Sequence, residues 1–250
     1  MRTSGTSWDA HCHLADPRLD PDRDEVMARA AGLGIVGFVQ GGVGPEDWTR
    51  QESLSKRYPS RFFPVYGLHP WWVAEKGEED SLQALDRLRD WLPRGVGLGE
   101  LGLDRGPRCP PETLPVQLLV FKKQLALAKE AGLPLVLHVV KAHAEALAEL
   151  RAERPEGGWN GIVHSFTQGP DTARAYSELG LHLSVGAAVC RKGFESLKRA
   201  VVGMPLEHWV IESDAPDQPI RPGERNEPSS VHESAGAIAA AKLPLYCRSQ

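Results

Sequence analysis

Short apolar runs alternate along this chain with stretches whose apolar residues recur at helical spacing. The runs are rich in Val, Ile, Leu and Phe and read as buried strands; the amphipathic stretches between them read as helices. The first strand holds Asp9-Ala10-His11-Cys12-His13, with a helix over residues 22–31 after it. Strands follow at 35–40, 62–67 and 96–100, separated by helices at 45–58 and 82–91. The second half repeats the rhythm, with strands at 135–138, 161–164, 181–185 and 209–214. Its helices fall at 117–130, 144–154, 171–179 and 194–202. Eight strands with helices between them predict an α/β fold, the (β/α)8 TIM barrel, with a doubly wound open sheet as the alternative.

A barrel of that kind fits a 250-residue chain as one domain, and no linker divides residues 1–250. The polar, proline-containing stretch 221–230 reads as a loop. Apolar content of 41% and a net charge of −4 describe an ordinary globular protein without a global pull toward nucleic acid or anionic membrane. The opening residues lack an apolar signal core and no run reaches membrane-spanning length, so a cytoplasmic location and no membrane partner are expected. Cys12, Cys109, Cys190 and Cys247 are scattered and read as reduced thiols. Nothing in the chain implies a stable protein partner.

In barrels of this class the functional side chains gather where the strands end. Along the first strand, Asp9, His11 and His13 share one face, and two imidazoles converging there make a pair of nitrogen ligands for a divalent ion. Taken alone, each further candidate has a bland reading: Glu100 as a turn carboxylate, His138 and His164 as hydrogen-bonded core histidines, Asp214 as a cap. Yet each sits at the predicted end of a strand. A carboxylate such as Glu100 at the end of an apolar run is costly without a compensating charge. Four histidines and two carboxylates are too many ligands for one tetrahedral ion, and suit two ions sharing a carboxylate.

The motifs Asp9-Ala10-His11-Cys12-His13, Gly67-Leu68-His69-Pro70, Gly99-Glu100-Leu101-Gly102-Leu103-Asp104, Leu137-His138, His164-Ser165-Phe166-Thr167 and Glu212-Ser213-Asp214-Ala215-Pro216, with Arg225-Asn226-Glu227-Pro228, resemble those of the TatD family in order and spacing. That family comprises metal-dependent hydrolases of the amidohydrolase-like barrel group, described as deoxyribonucleases. The resemblance implies that His11 and His13 hold one metal, His138 and His164 a second, and that Glu100 bridges them. It implies that Asp214 binds the first metal and orients or deprotonates the attacking water, and that His69 contacts the scissile phosphate of DNA. Two divalent ions, Zn, Mn or Mg, are the implied cofactors.

Three departures stand out. Where the family usually carries an arginine, two residues after the strand-five histidine, this chain has Val140. The phosphate contact is therefore expected to pass to Lys141, a point charge rather than a bidentate fork, with Arg191 as a second cation. Ser165 replaces a frequent cysteine. The segment 239–250 reads as a shortened or altered last cover of the barrel. Two competing readings keep the same ligands: a hydrolase of a small amide, lactone or phosphoester, and a catalytically silent barrel used as a binding module.

Overall fold

A computed structural model describes residues 6–246. In chain order, β1 is Ser7–Cys12, α1 Arg23–Gly32, β2 Ile35–Gln40 and α2 Pro45–Arg57. Next come β3 Phe62–Phe63 and β4 Val65–Tyr66, α3 Pro70–Trp91, β5 Gly97–Asp104 and α4 Leu114–Ala131. β6 is Leu135–Val140, α5 His143–Ala152, β7 Gly161–Val163 and α6 Pro170–Ser177. The chain closes with β8 His182–Val185, α7 Glu195–Gly203, β9 Trp209–Ile211 and α8 Val231–Tyr246. β3 and β4 are one predicted strand broken at Pro64, which has no N–H to give to a ladder. The β-then-α alternation thus occurs eight times, and every described strand pairing is parallel.

Two compact units form. In the first, made of residues up to Gln40, Ser165–Arg174 and residues from Leu183 onward, β1 pairs with β2 and β8 with β9. Within it β9 lies alongside β1, the last strand against the first. The side chains of Val26, Met27 and Ala30 on α1 share one face and are fully buried. Leu197, Ala200 and Val201 repeat that spacing on α7.

The second unit, Gly41–His164 with Ala175–His182, holds the parallel run β4-β5-β6-β7. Helix α4 packs on β5 and α3 through Val120, Phe121, Leu125 and Ala128. Burial of one such aromatic as Phe121 contributes about 1.5–3 kcal/mol. Backbones approach closely between β5 and β6: a Cβ on Gly102, whose φ is +152°, would stand 1.8 Å from the His138 carbonyl oxygen. Only glycine fits there.

Several expected boundaries move. Strand 96–100 runs on to Asp104, so Glu100 lies in the middle of β5 rather than at its end, beside a register shift between Gly99 and Leu101. His138 likewise precedes the end of β6 by two residues. Helix α3 starts at Pro70, twelve residues before the expected start at 82, with a break at Gly77 (φ +78°). Pro70 is pre-shaped for a first helical position, and the His69 imidazole caps it. Helix α8 extends to Tyr246, and the remainder of the segment expected to be altered, together with Cys247, lies outside the described residues. Among the described residues no helix is long and apolar enough to cross a membrane.

Candidate metal centre

In the first unit, β1 delivers His11 and His13, and the turn after β9 delivers Asp214. The Asp214 N–H donates to the His11 carbonyl at 3.0 Å, and the His13 N–H to the Ala215 carbonyl at 2.7 Å. These two bonds tie the end of β1 to the turn after β9. Asp214 Oδ1 then stands 3.6 Å from His11 Nε2 and 3.5 Å from His13 Nε2, and the two rings meet edge to face at 4.9 Å. Asp214 has φ +58°, a left-handed conformation that its short polar side chain tolerates. Asn226 holds the turn from outside, its amide donating to the Ser213 carbonyl at 2.6 Å. A cavity of about 130 Å³ opens beside Asp214, walled by Phe166, Phe194 and the Glu212 carboxylate.

Asp9 sits beneath this trio and is fully buried. Its Oδ1 accepts from the Ser213 N–H at 2.8 Å and the His11 N–H at 3.3 Å, and its Oδ2 accepts the Ser213 hydroxyl at 2.5 Å. Burial pushes the Asp9 carboxyl up to about 7, against the pull of those hydrogen bonds. One side chain thereby ties the His-x-His strand to the Asp214 turn.

In the second unit, Glu100 of β5, His138 of β6 and His164 after β7 bring three donor atoms together. His164 Nε2 lies 2.7 Å from Glu100 Oε2, His138 Nδ1 3.5 Å from the same oxygen, and the two nitrogens are 2.9 Å apart. Ligands about 2.1 Å from one ion stand roughly 3.0–3.4 Å from one another, and the separations within this triple fall on either side of that range. The far nitrogen of His138 meets Asp104 Oδ2 at 3.0 Å. In the neutral ring, Nε2–H donated to that carboxylate leaves Nδ1 bare for a metal, the arrangement in which an outer carboxylate orients a metal-binding histidine. Burial opposes charge on His138, yet the hydrogen bonds to Asp104 and Glu100 hold its pKa above the ordinary histidine value.

His69 also reaches this cluster, 3.2 Å from His138 Nδ1 and 3.7 Å from Glu100 Oε2 through Nε2, and by proximity alone it joins Glu100 and His138 as a ligand group. Its hydrogen bonding says otherwise. Nδ1 accepts the Trp71 N–H at 3.0 Å, so the neutral ring carries its proton on Nε2. A protonated Nε2 is a donor, not a ligand, and His69 is therefore suited to an anionic oxygen. Lys141 follows β6, is exposed and has φ +53°. In the first unit Arg191 turns to the Pro219 carbonyl and to Gln218 Oε1 at 3.5 Å.

The sequence reading passed over Asp104, although four residues after Glu100 along a strand is the same face. It also passed over two buried glutamines of α4. Gln124 Oε1 accepts the Leu68 N–H at 2.8 Å and its Nε2 donates to the Leu68 carbonyl at 3.1 Å. Gln117 does the same for Asp104, so α4 fixes the backbone beside His69 and beside the partner of His138. Trp71 donates its indole N–H to Asp104 Oδ2 at 2.6 Å.

A sequence model described as TatD related DNase matches residues 8–244. The uncharacterized metal-dependent hydrolase YabD of Bacillus subtilis is 32% identical, the alignment covering 94% of this chain and 91% of that protein. The 3'-5' ssDNA/RNA exonuclease TatD of Erwinia billingiae is also 32% identical, over 93% of this chain and 90% of the relative. Among solved structures, YjjV, the TatD homolog of Escherichia coli, superposes with a TM-score of 0.85 at 26% identity, covering 94% of this chain and 89% of its own.

Proposed function

We propose, from the premise that the chain belongs to the TatD-related DNase family of metal-dependent hydrolases, that it hydrolyses phosphodiester bonds of DNA with two divalent ions. The observation that carries this reading is the Glu100–His138–His164 donor set, with the proton of His138 fixed on the side of Asp104. A mixed imidazole and carboxylate set suits zinc or manganese, and magnesium where water completes the shell. In this reading His11, His13 and Asp214 would hold one ion, and Glu100, His138 and His164 would hold another. Such ions lower the pKa of water and neutralise charge on a phosphodiester.

The chain's own groups supply the rest. Asp214 takes the proton of the attacking water through a carboxylate oxygen. His69 donates Nε2–H to a non-bridging oxygen of the scissile phosphate, its Nδ1 kept aprotic by the Trp71 amide. Asp104 keeps His138 in the ligating tautomer. Lys141 and Arg191 attract the strand. Cys12, Cys109 and Cys190 are free thiols, in keeping with a reducing cytoplasmic setting.

The test is metal content of the purified protein together with cleavage of single-stranded DNA, for the parent and for Asp214→Asn. The variant should fold and bind DNA while losing about 10²–10⁴-fold in turnover, the usual cost of removing a general base. Hydrolysis of small esters without DNA cleavage would instead make the small-molecule hydrolase the better reading.

A further inference from the structure

The family's usual arginine after the strand-five histidine is Val140 here, yet the second unit carries a guanidinium at its candidate metal cluster by another route. Arg108, in the loop between β5 and α4, places its guanidinium carbon 3.9 Å from the centre of the Trp71 ring. That ring lies 4.6 Å from the His69 ring and 5.6 Å from the His138 ring, centre to centre. The Trp71 indole is itself fixed by its N–H to Asp104. Asp104 is in turn engaged by His138 and by the Gly106 N–H at 2.5 Å, so its charge is already answered.

Arg108 differs from the other arginine of its loop. Arg105 is tied to Glu145 at 2.8 Å, whereas among the described residues Arg108 makes no ion pair and is exposed. A surface arginine normally gives up much rotamer entropy when it grips a ligand. Contact with an indole face restricts the planar head beforehand, and a guanidinium without an ion pair keeps its N–H groups available for a bidentate contact. Lys141 lacks the plane and, among the described residues, has no stacking partner. We propose that Arg108, held on Trp71, binds a phosphate of the substrate strand next to the scissile one, and so supplies the guanidinium that position 140 lacks. The proposal rests on the phosphodiesterase reading and assigns that site a specific strand contact.

The experiment uses the metal-loaded full chain, a fluorescently labelled single-stranded oligonucleotide, and bis(p-nitrophenyl) phosphate, a diester without a neighbouring phosphate. Oligonucleotide affinity, KM and kcat are measured across a salt series for the parent, Arg108→Ala, Arg108→Lys and Lys141→Ala. Losing one phosphate contact to a single strand lowers the slope of log affinity against log salt by about 0.7. Arg108→Ala should show that drop, with an oligonucleotide KM raised about tenfold and kcat changed much less, as expected for uniform binding. Arg108→Lys should keep the salt slope and recover only part of the affinity, because the charge stays and the fork is lost. A parent that binds the oligonucleotide, with Arg108→Ala matching it in KM and slope, overturns the Arg108 assignment and leaves the nuclease reading standing. A parent that hydrolyses the small diester but binds no oligonucleotide overturns both.

Discussion

Gln117 makes both backbone hydrogen bonds of Asp104, its Oε1 accepting the N–H at 2.8 Å and its Nε2 donating to the carbonyl at 3.1 Å. A helix side chain here replaces the strand neighbour that the last residue of β5 would otherwise need. Gln117→Ala should leave a buried N–H and C=O without their partner and cost about 1–3 kcal/mol. Gln117→Met, of similar volume, should cost nearly as much, because the loss is of hydrogen bonds and not of packing. Urea unfolding of both variants checks this. A Met variant as stable as the parent would mean that the amide contributes only bulk.

In the proposed site Asp104 would act on a bound metal through His138. Asp104→Asn keeps the size of the side chain but offers no carboxylate to the Nε2–H, so the imidazole loses orientation and basicity. Removing such an outer carboxylate typically lowers metal affinity about 10–100-fold. Titration of the apo protein with zinc should show that loss, with little change in the unfolding midpoint of the metal-free form. Unchanged zinc affinity would leave Asp104 as a partner of Trp71 alone.

Asp9 and Ser213 are 204 residues apart in sequence and joined by two hydrogen bonds, and this pair aligns the two ligand-bearing segments of the first unit. Asp9→Ala and Ser213→Ala should each destabilise the fold. In a double-mutant cycle the two should couple by about 1–3 kcal/mol, the range for a hydrogen bond to a charged or buried group. Additive effects would show that the two residues do not act as one bracket.

The strand pattern was legible because β-rich runs bounded by glycine leave a local signature, and Ile35–Gln40 falls on the expected residues. His11, His13, Glu100, His138, His164 and Asp214 stand out in the sequence only as a set of candidate ligands at or near the ends of apolar runs, since each alone has an ordinary reading. What failed were judgements that depend on a neighbour. The helix that starts at Pro70 was expected only from residue 82, since nothing local announces that the preceding imidazole caps it. Gln117 and Gln124 fall within the expected helix 117–130 with no local sign that they are buried, and their partners lie on the segments after β4 and at the end of β5. Asp104 was within reach by strand periodicity, but β5 was expected to stop at Glu100. Arg108 lay in a loop, and no spacing rule pairs a loop arginine with a tryptophan more than thirty residues earlier.

The last prediction concerns acid stability. His143 is the first residue of α5, and its Nδ1 lies 3.0 Å from the Tyr176 hydroxyl. Burial pushes its pKa down from 6.5 to about 4, and a helix N-terminus also disfavours a positive charge there. The folded state therefore holds His143 neutral where the unfolded chain already protonates it. Between pH 6.5 and about 4 the unfolded state binds the extra proton, so this group's stabilisation is complete above pH 6.5 and is lost as the pH falls through that window. A shift of this size corresponds to about 2–3 kcal/mol at the acid end. His143→Gln retains a partner for the Tyr176 hydroxyl and cannot titrate in this range. Chemical denaturation of parent and variant at pH 7.5 and pH 4.5 should therefore show the variant losing less stability on acidification, by about 2 kcal/mol. Equal losses in the two proteins would show that His143 titrates as an ordinary surface histidine, and that the α5 terminus is open to water.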